Sequence, residues 1–276
     1  MKRLNVILIL LCIIINMMNA QNPFFEKYTT PYGTVPFDKI KTEHYEPAIR
    51  EGIRQQAAEI DAIVNNPEAP TFANTILAYE KSGELLDRVT TVFGNLRSAE
   101  TNDDLQTLAQ EMMPLLSEHS NNITLNEKLF ARVKEVYNQK EALQLTQEQK
   151  QLLENAYNSF VRHGANLEGE AREEYRRLTT ELSKLTLTFS ENNLKETNAY
   201  QMLLTKKESL AGLPEIIIEA AAETAKSEGK EGWAFTLHAP SYVPFMTYSD
   251  NRDLRQKLYM AYNTKCTHDN EFNNID

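Results

Sequence analysis

Cys266, His268 and Asp269 form the densest group of possible metal ligands and nucleophiles in the sequence. A thiolate and an imidazole could share a zinc ion, but structural zinc sites take four protein ligands and catalytic ones usually three plus water. No second Cys/His cluster accompanies them, and a Cys/His nucleophile also needs a base held beside it in space. His44 and Glu46 form another pair near the start of an expected helix. Residues two apart on a helix point away from each other, so these read as solvated first-turn groups. The five histidines are His44, His119, His163, His238 and His268. None is followed by Glu, and none has a second His four residues on. That spacing is what sets two imidazoles on one zinc with the intervening Glu as general base. There is no Gly-rich phosphate loop, and no carboxylate pair whose context implies shifted acidity. Tyr242, Tyr248 and Tyr262 invite a substrate contact, but no motif supports one. The residues therefore nominate no catalytic and no metal-ligating side chain, and substrate-binding residues stay unassigned.

Composition narrows the class. The chain has 276 residues, 41% hydrophobic and 25% charged, which suits a soluble globular protein of one large or two modest domains. Nine Gly and ten Pro favour helices over a turn-rich sandwich. A net charge of −10 argues against nucleic acid, where a basic footprint supplies most of the affinity, and against anionic membrane surfaces. Residues 1–20 combine a basic start, an apolar run from Val6 to Ile15 and a small residue at Ala20, as a secretory signal peptide does. The run is too short for a comfortable membrane span, so no stable anchor is expected after its removal. Leu11 before Cys12 fits a lipoprotein signal poorly. The expectation is export to the periplasm or outside the cell. Cleavage would leave Cys266 alone, so the fold must rest on packing.

The elements that would position any site are mostly helices. Phe24, Phe25, Tyr28, Tyr32 and Phe37 are expected to anchor an extended arm. Ala48, Ile49, Ile53, Ala57, Ile60 and Ile63 mark a helix over 44–64. Asn102 starts another to about Ser120, with Pro114 expected to kink or interrupt it and His119 to cap or follow its end. Helices over 126–137 and 146–161 follow, the second opened by the Thr146/Gln149 capping box. Over 167–197, Leu178, Leu182, Leu185 and Phe189 form one apolar face, preceded by Leu167, Ala171 and Tyr175. The charge run Glu170–Arg177 could face a peptide, but a solvated outer face with local ion pairs accounts for it. His163 stands at the preceding helix end, where the dipole favours a cation. Short strands are expected over 200–205 and 233–239, with a helix over 214–227 between them and a turn or edge around Pro240 and Pro244. A helix over 249–265, capped by Ser249 or Asp250, has Leu254, Leu258, Ala261 and Tyr262 inside.

The most informative stretch is Asn65–Gly94. Pro67 and Pro70 exclude a continuous helix, Thr71 is a good N-cap, and Gly83 is placed to stop a helix before Leu85, Leu86, Val89, Val92 and Phe93 begin a second apolar stripe. Within it, A-P-T-F-A-N-T-I-L-A-Y-E-K-S-G-E-L-L-D-R-V (69–89) resembles the N-terminal region of the thimet-oligopeptidase-like zinc metallopeptidases, in particular bacterial peptidyl-dipeptidases (dipeptidyl carboxypeptidases) and oligopeptidase A. The likeness extends through N-P-F-F at Asn22, P-F-D-K-I-K at Pro36, H-Y-E-P-A-I at His44, L-F-A-R-V-K-E-V-Y at Leu129, F-V-R-H-G-A at Phe160 and N-R-D-L-R-Q-K-L at Asn251.

The resemblance implies a mainly α fold: the helical N-terminal half of such an enzyme with a small strand-containing insertion. Its parts would be a signal peptide (1–20), an N-terminal helical domain (21–199), a small strand-containing unit (200–248) and the start of the next helical segment (249–276), where the chain looks interrupted. In the family the His-Glu-x-x-His motif lies C-terminal to everything present here. The complete enzyme would hold zinc and take short peptides, with release of C-terminal dipeptides expected; its C-terminal catalytic half would be this chain's partner. This chain is expected to contribute a channel wall, bind no zinc and cleave nothing alone. The alternative is a stand-alone helical scaffold that binds a peptide or protein.

Overall fold

A computed structural model describes residues 22–275. The signal-peptide expectation, including Cys12, lies outside the described residues. The chain divides into two compact units, one ending at Lys184 and one beginning at Leu185. The fold is mainly α, with one two-stranded sheet among the described residues.

In the first unit, α1 (Tyr45–Val64) packs on α2 (Glu84–Ala99). The approach is close because Gly52 lacks a side chain: a Cβ there would stand 2.9 Å from Leu86 Cα. Ahead of α1, Asn22 caps a single turn at Pro23–Phe25, accepting from the Phe24 amide at 3.1 Å and donating to the His44 carbonyl at 2.8 Å. That turn buries Phe24 completely against Tyr45, whose ring meets Phe93 on its other side. Burying one such ring is worth about 1.5–3 kcal/mol. The aromatic arm is narrower than its composition suggests. Phe25 and Tyr28 are half-buried, whereas Tyr32 and Phe37 stand in solvent, because the chain leaves the helices after Arg88 has clasped the Phe24 carbonyl at 2.7 Å.

Thr71 caps the next element as expected, in a box with Asn74, but the chain then winds as a π-helical turn over Phe72–Leu77 and only three α residues follow. Gly83, at φ +81°, ends this piece and opens α2. α3 (Asp103–Thr124), α4 (Glu127–Asn138) and α5 (Gln147–Arg162) begin at the side-chain caps Asn102, Asn126 and Thr146. Their inner faces join α1 in a core around Ile60, Ile76, Leu129, Val133, Leu153 and Phe160. Two expectations for α3 need correction. The helix continues through Pro114 for another ten residues. His119 is not at its end but inside it and buried, where it reaches α1.

α6 (Gly169–Ala199) spans the division between the units. Its apolar face is turned the other way from the expectation. Leu178, Leu182, Leu185 and Phe189 are each about half exposed or more, while Leu187 and Glu191, half a turn round the helix, are buried. The cause in the first unit is polar. Thr179 exchanges hydrogen bonds with the Asn121 amide, Arg176 donates to Asn122 at 2.7 Å, and Arg172 pairs with Glu127 and donates to the Leu167 carbonyl. These tethers fix which side of α6 is packed. The Glu170–Arg177 run is thus mixed: Arg172 and Arg176 are structural, whereas Glu174–Arg177–Glu181 is a solvent-side ion-pair chain.

The second unit holds β1 (Gln201–Leu204) antiparallel to β2 (Trp233–Thr236), with Met202 opposite Phe235. α7 (Glu215–Ser227), α8 (Ala239–Tyr248) and α9 (Arg252–Asn263) complete it. Met202, Leu204, Phe235, Leu237, Phe245 and Leu258 make its core. Leu258 of α9 shares that core, with Leu254 and Ala261 packed against it. Pro240 and Pro244 lie within α8, not at a turn: Pro240 occupies the first turn, where an amide hydrogen has no helical partner, and only Pro244 forgoes a bond. Pro214 is likewise the N-cap of α7 rather than its first residue, and Asn251, not Ser249 or Asp250, caps α9 by accepting from Leu254 at 3.1 Å.

Candidate functional site

Each histidine has a local engagement. His44 Nδ1 accepts from the Lys41 amide at 3.0 Å. His119 Nε2 donates to Gln56 Oε1 at 2.8 Å, and burial pushes its imidazole below the usual histidine range. His163 ends α5, and its Nδ1 lies 2.7 Å from the Ser159 carbonyl; a carbonyl can only accept, so Nδ1 carries the proton. His238 precedes α8, its Nε2 3.0 Å from Asn198 Oδ1. His268 Nε2 lies 3.2 Å from Thr264 Oγ1.

The Cys266–His268–Asp269 group does not assemble. Cys266 is buried at positive φ, its amide held by the Glu196 carboxylate, and burial followed by the nearby Glu196 pushes the thiol up. A nucleophilic cysteine needs the opposite, a thiolate favoured by positive surroundings. His44 and Glu46 also diverge: Glu46 pairs with Arg50 at 2.9 Å, one turn on. Among the described residues no three His, Cys, Asp or Glu side chains are placed to hold a metal ion. Tyr242 and Tyr262 stack at 4.2 Å between ring centres, with Lys265 over Tyr262, while Tyr248 is half exposed.

A cleft opens within the Asn65–Gly94 stretch and the helix beside it. It measures about 820 Å³, lies at the turn before α2, and is lined by Gln56, Glu80, Lys81, Gly83, Glu84 and Asp87 among others. Its wall is built by a relay across the turn. Gln56 accepts from His119 and approaches the Ser82 carbonyl at 3.4 Å, and Glu59 accepts from the Gly83 amide at 2.7 Å. The last contact gives the α2 N-terminus the anionic partner its exposed amides favour. Gln56 was legible only as a polar residue of α1; its partner lies 63 residues away. The cleft offers carboxylates and backbone polar groups.

The chain is 40% identical to a dipeptidyl carboxypeptidase of Escherichia coli over 245 residues, covering 88% of this chain and 36% of that protein. It is 33% identical to an oligopeptidase A of Haemophilus influenzae over 250 residues, covering 91% and 36%. An organellar oligopeptidase A of Arabidopsis thaliana is 28% identical over 258 residues, covering 90% and 32%. No family model matches the chain. The chain spans about a third of the length of the curated relatives it matches. This likeness to proteins named dipeptidyl carboxypeptidase and oligopeptidase A is collinear and runs through nearly the whole chain.

Proposed function

We propose that this chain is the N-terminal, channel-wall portion of an exported zinc metallopeptidase that cleaves short peptides and releases C-terminal dipeptides. One observation carries the reading: the chain matches about 36% of peptidases named dipeptidyl carboxypeptidase and oligopeptidase A, while its own sequence has no His-Glu-x-x-His. Zinc and the catalytic half would come from polypeptide outside this match. Helices with a polar cleft suit such a wall. The basic and apolar pattern of residues 1–20 supports export.

The test is direct. The purified chain is assayed for hydrolysis of short unblocked peptides and for zinc content by elemental analysis. The expected result is neither turnover nor stoichiometric metal. Turnover accompanied by one zinc per chain overturns the reading.

A further inference from the structure

Three polar atoms near the start of the first unit are buried without a hydrogen-bond partner: Tyr28 Oη, Tyr45 Oη and Arg88 Nε. Buried polar groups are normally paired, so three unpaired ones in one neighbourhood need a cause. The Arg88 guanidinium lies 5.4 Å from the centre of the Tyr28 ring, and its Nη2 donates to the Phe24 carbonyl at 2.7 Å. The Phe24 ring in turn packs 5.2 Å from that of Tyr45. The three groups also act on one another's charge. Burial raises the Tyr28 phenol and Arg88 draws it back, while burial raises Tyr45 to about 12 and Tyr28 adds to the rise. Such influence acts at short range.

The chemistry of the set is one-sided. A guanidinium N–H can only donate, and a phenol hydroxyl beside it is free to donate as well. Among the described residues Arg88 forms no ion pair. Glu51, which lines the same cleft, is taken by Arg54 through bonds of 2.6 and 2.8 Å. That cleft measures about 370 Å³ and is lined by Phe25, Glu51, Gln55, Leu85 and Arg88. A half-buried positive charge without a counter-charge, flanked by two hydroxyl donors, is complementary to an anion. A water molecule could pair a hydroxyl but would leave the guanidinium uncompensated.

We propose that Arg88, Tyr28 and Tyr45 form a binding site for a small monovalent anion, with chloride as its simplest occupant, that pins the N-terminal arm to α1 and α2. Arg88 Nε and the two phenol hydroxyls are the donors. The site is independent of the peptidase activity proposed above.

The test melts the purified chain at increasing chloride, with gluconate holding the ionic strength constant. A ligand that binds only the folded state raises the midpoint with its concentration. The expected result is a saturable rise in midpoint, together with broadening of the chlorine-35 magnetic resonance by the native chain. Arg88→Gln is expected to weaken chloride binding about tenfold or more. Tyr28→Phe, at a half-buried residue whose hydroxyl has no bond to lose, is expected to fold and to weaken it about threefold or more. Arg162→Gln, at an exposed arginine ending α5, is expected to respond as the native chain does. The Tyr45 hydroxyl is unpaired only when no anion is bound. Tyr45→Phe should therefore match or exceed the native midpoint in gluconate and fall below it in saturating chloride. A midpoint indifferent to chloride overturns the proposal and leaves ordered water as the partner of the three groups. Equal chloride affinity in the native chain and Arg88→Gln overturns it too. Should Arg88→Gln fail to fold, Tyr28→Phe decides, and an unchanged affinity there overturns the site.

Discussion

Gln56 on α1 and His119 on α3 meet at 2.8 Å across 63 residues of sequence, and the imidazole is the donor. Burial holds its pKa below the ordinary value of 6.5. The unfolded chain therefore takes up a proton that the folded chain resists. The contribution is fully present above pH 6.5 and is lost as pH falls through the lower folded-state value. Denaturant midpoints measured between pH 7.5 and 5 are expected to fall, and His119→Gln, which can still donate to Gln56, is expected to flatten that slope. A slope unchanged in the variant would assign the acid sensitivity elsewhere.

Tyr45 separates the value of a ring from the cost of a hydroxyl. Its ring lies between Phe24 and Phe93, yet its buried hydroxyl has no hydrogen-bond partner. Tyr45→Phe keeps the packing and removes a polar group that costs about 1–3 kcal/mol when left unpaired. The variant is expected to be as stable as the native protein or up to about 1 kcal/mol more so, whereas Tyr45→Ala is expected to lose about 3–5 kcal/mol. Burial, with a smaller effect from Tyr28, pushes the phenol up to about 12. Its contribution is present below pH 10 and is lost as pH rises toward 12. Alkaline unfolding should therefore be shallower in Tyr45→Phe, as read by circular dichroism.

What was legible in the sequence divides by the range of the interaction. Thr71, Asn102, Asn126 and Thr146 cap helices through amides three residues away, so a short window holds the whole signal. Pro244 misled because a proline's cost depends on its place in the helix, and the surrounding packing at Phe245 outweighs one lost bond. The stripe of α6 misled for a different reason. Periodicity finds a face but not its partner, and the side that is packed is the one carrying Leu187 and Glu191. For the candidate site, the Cys266 amide is held by Glu196, a residue 70 positions away, which no short window of sequence shows.

Cys266 is expected to behave as a structural residue. It is 4% exposed, and burial first, then the neighbouring Glu196, raises its pKa. Since the thiolate is the reacting species, alkylation at pH 7 should be slow in the folded protein and fast in denaturant. The measurement uses Cys12→Ser, so that one thiol remains. Rapid labelling of the folded variant would contradict the burial and reopen a catalytic role for the thiol.

Two glycines on the packed α1–α2 pair should respond in opposite directions. At Gly52 a methyl group would meet Leu86 backbone at 2.9 Å, and backbone cannot swing aside as a side-chain tip can. The helices would have to part, disturbing a contact that Val89 and Ile49 fill without exposure. Gly52→Ala is expected to cost about 1–3 kcal/mol, as overpacking does. Gly94 lies inside α2 with open space where a Cβ would stand. There alanine removes backbone freedom from the unfolded chain without adding strain, so Gly94→Ala is expected to stabilise by about 0.4–1 kcal/mol. Urea midpoints of the two variants settle the matter. A harmless Gly52→Ala would mean that α1 and α2 are not in tight contact, and the packing that holds Gln56 toward His119 would then need another source.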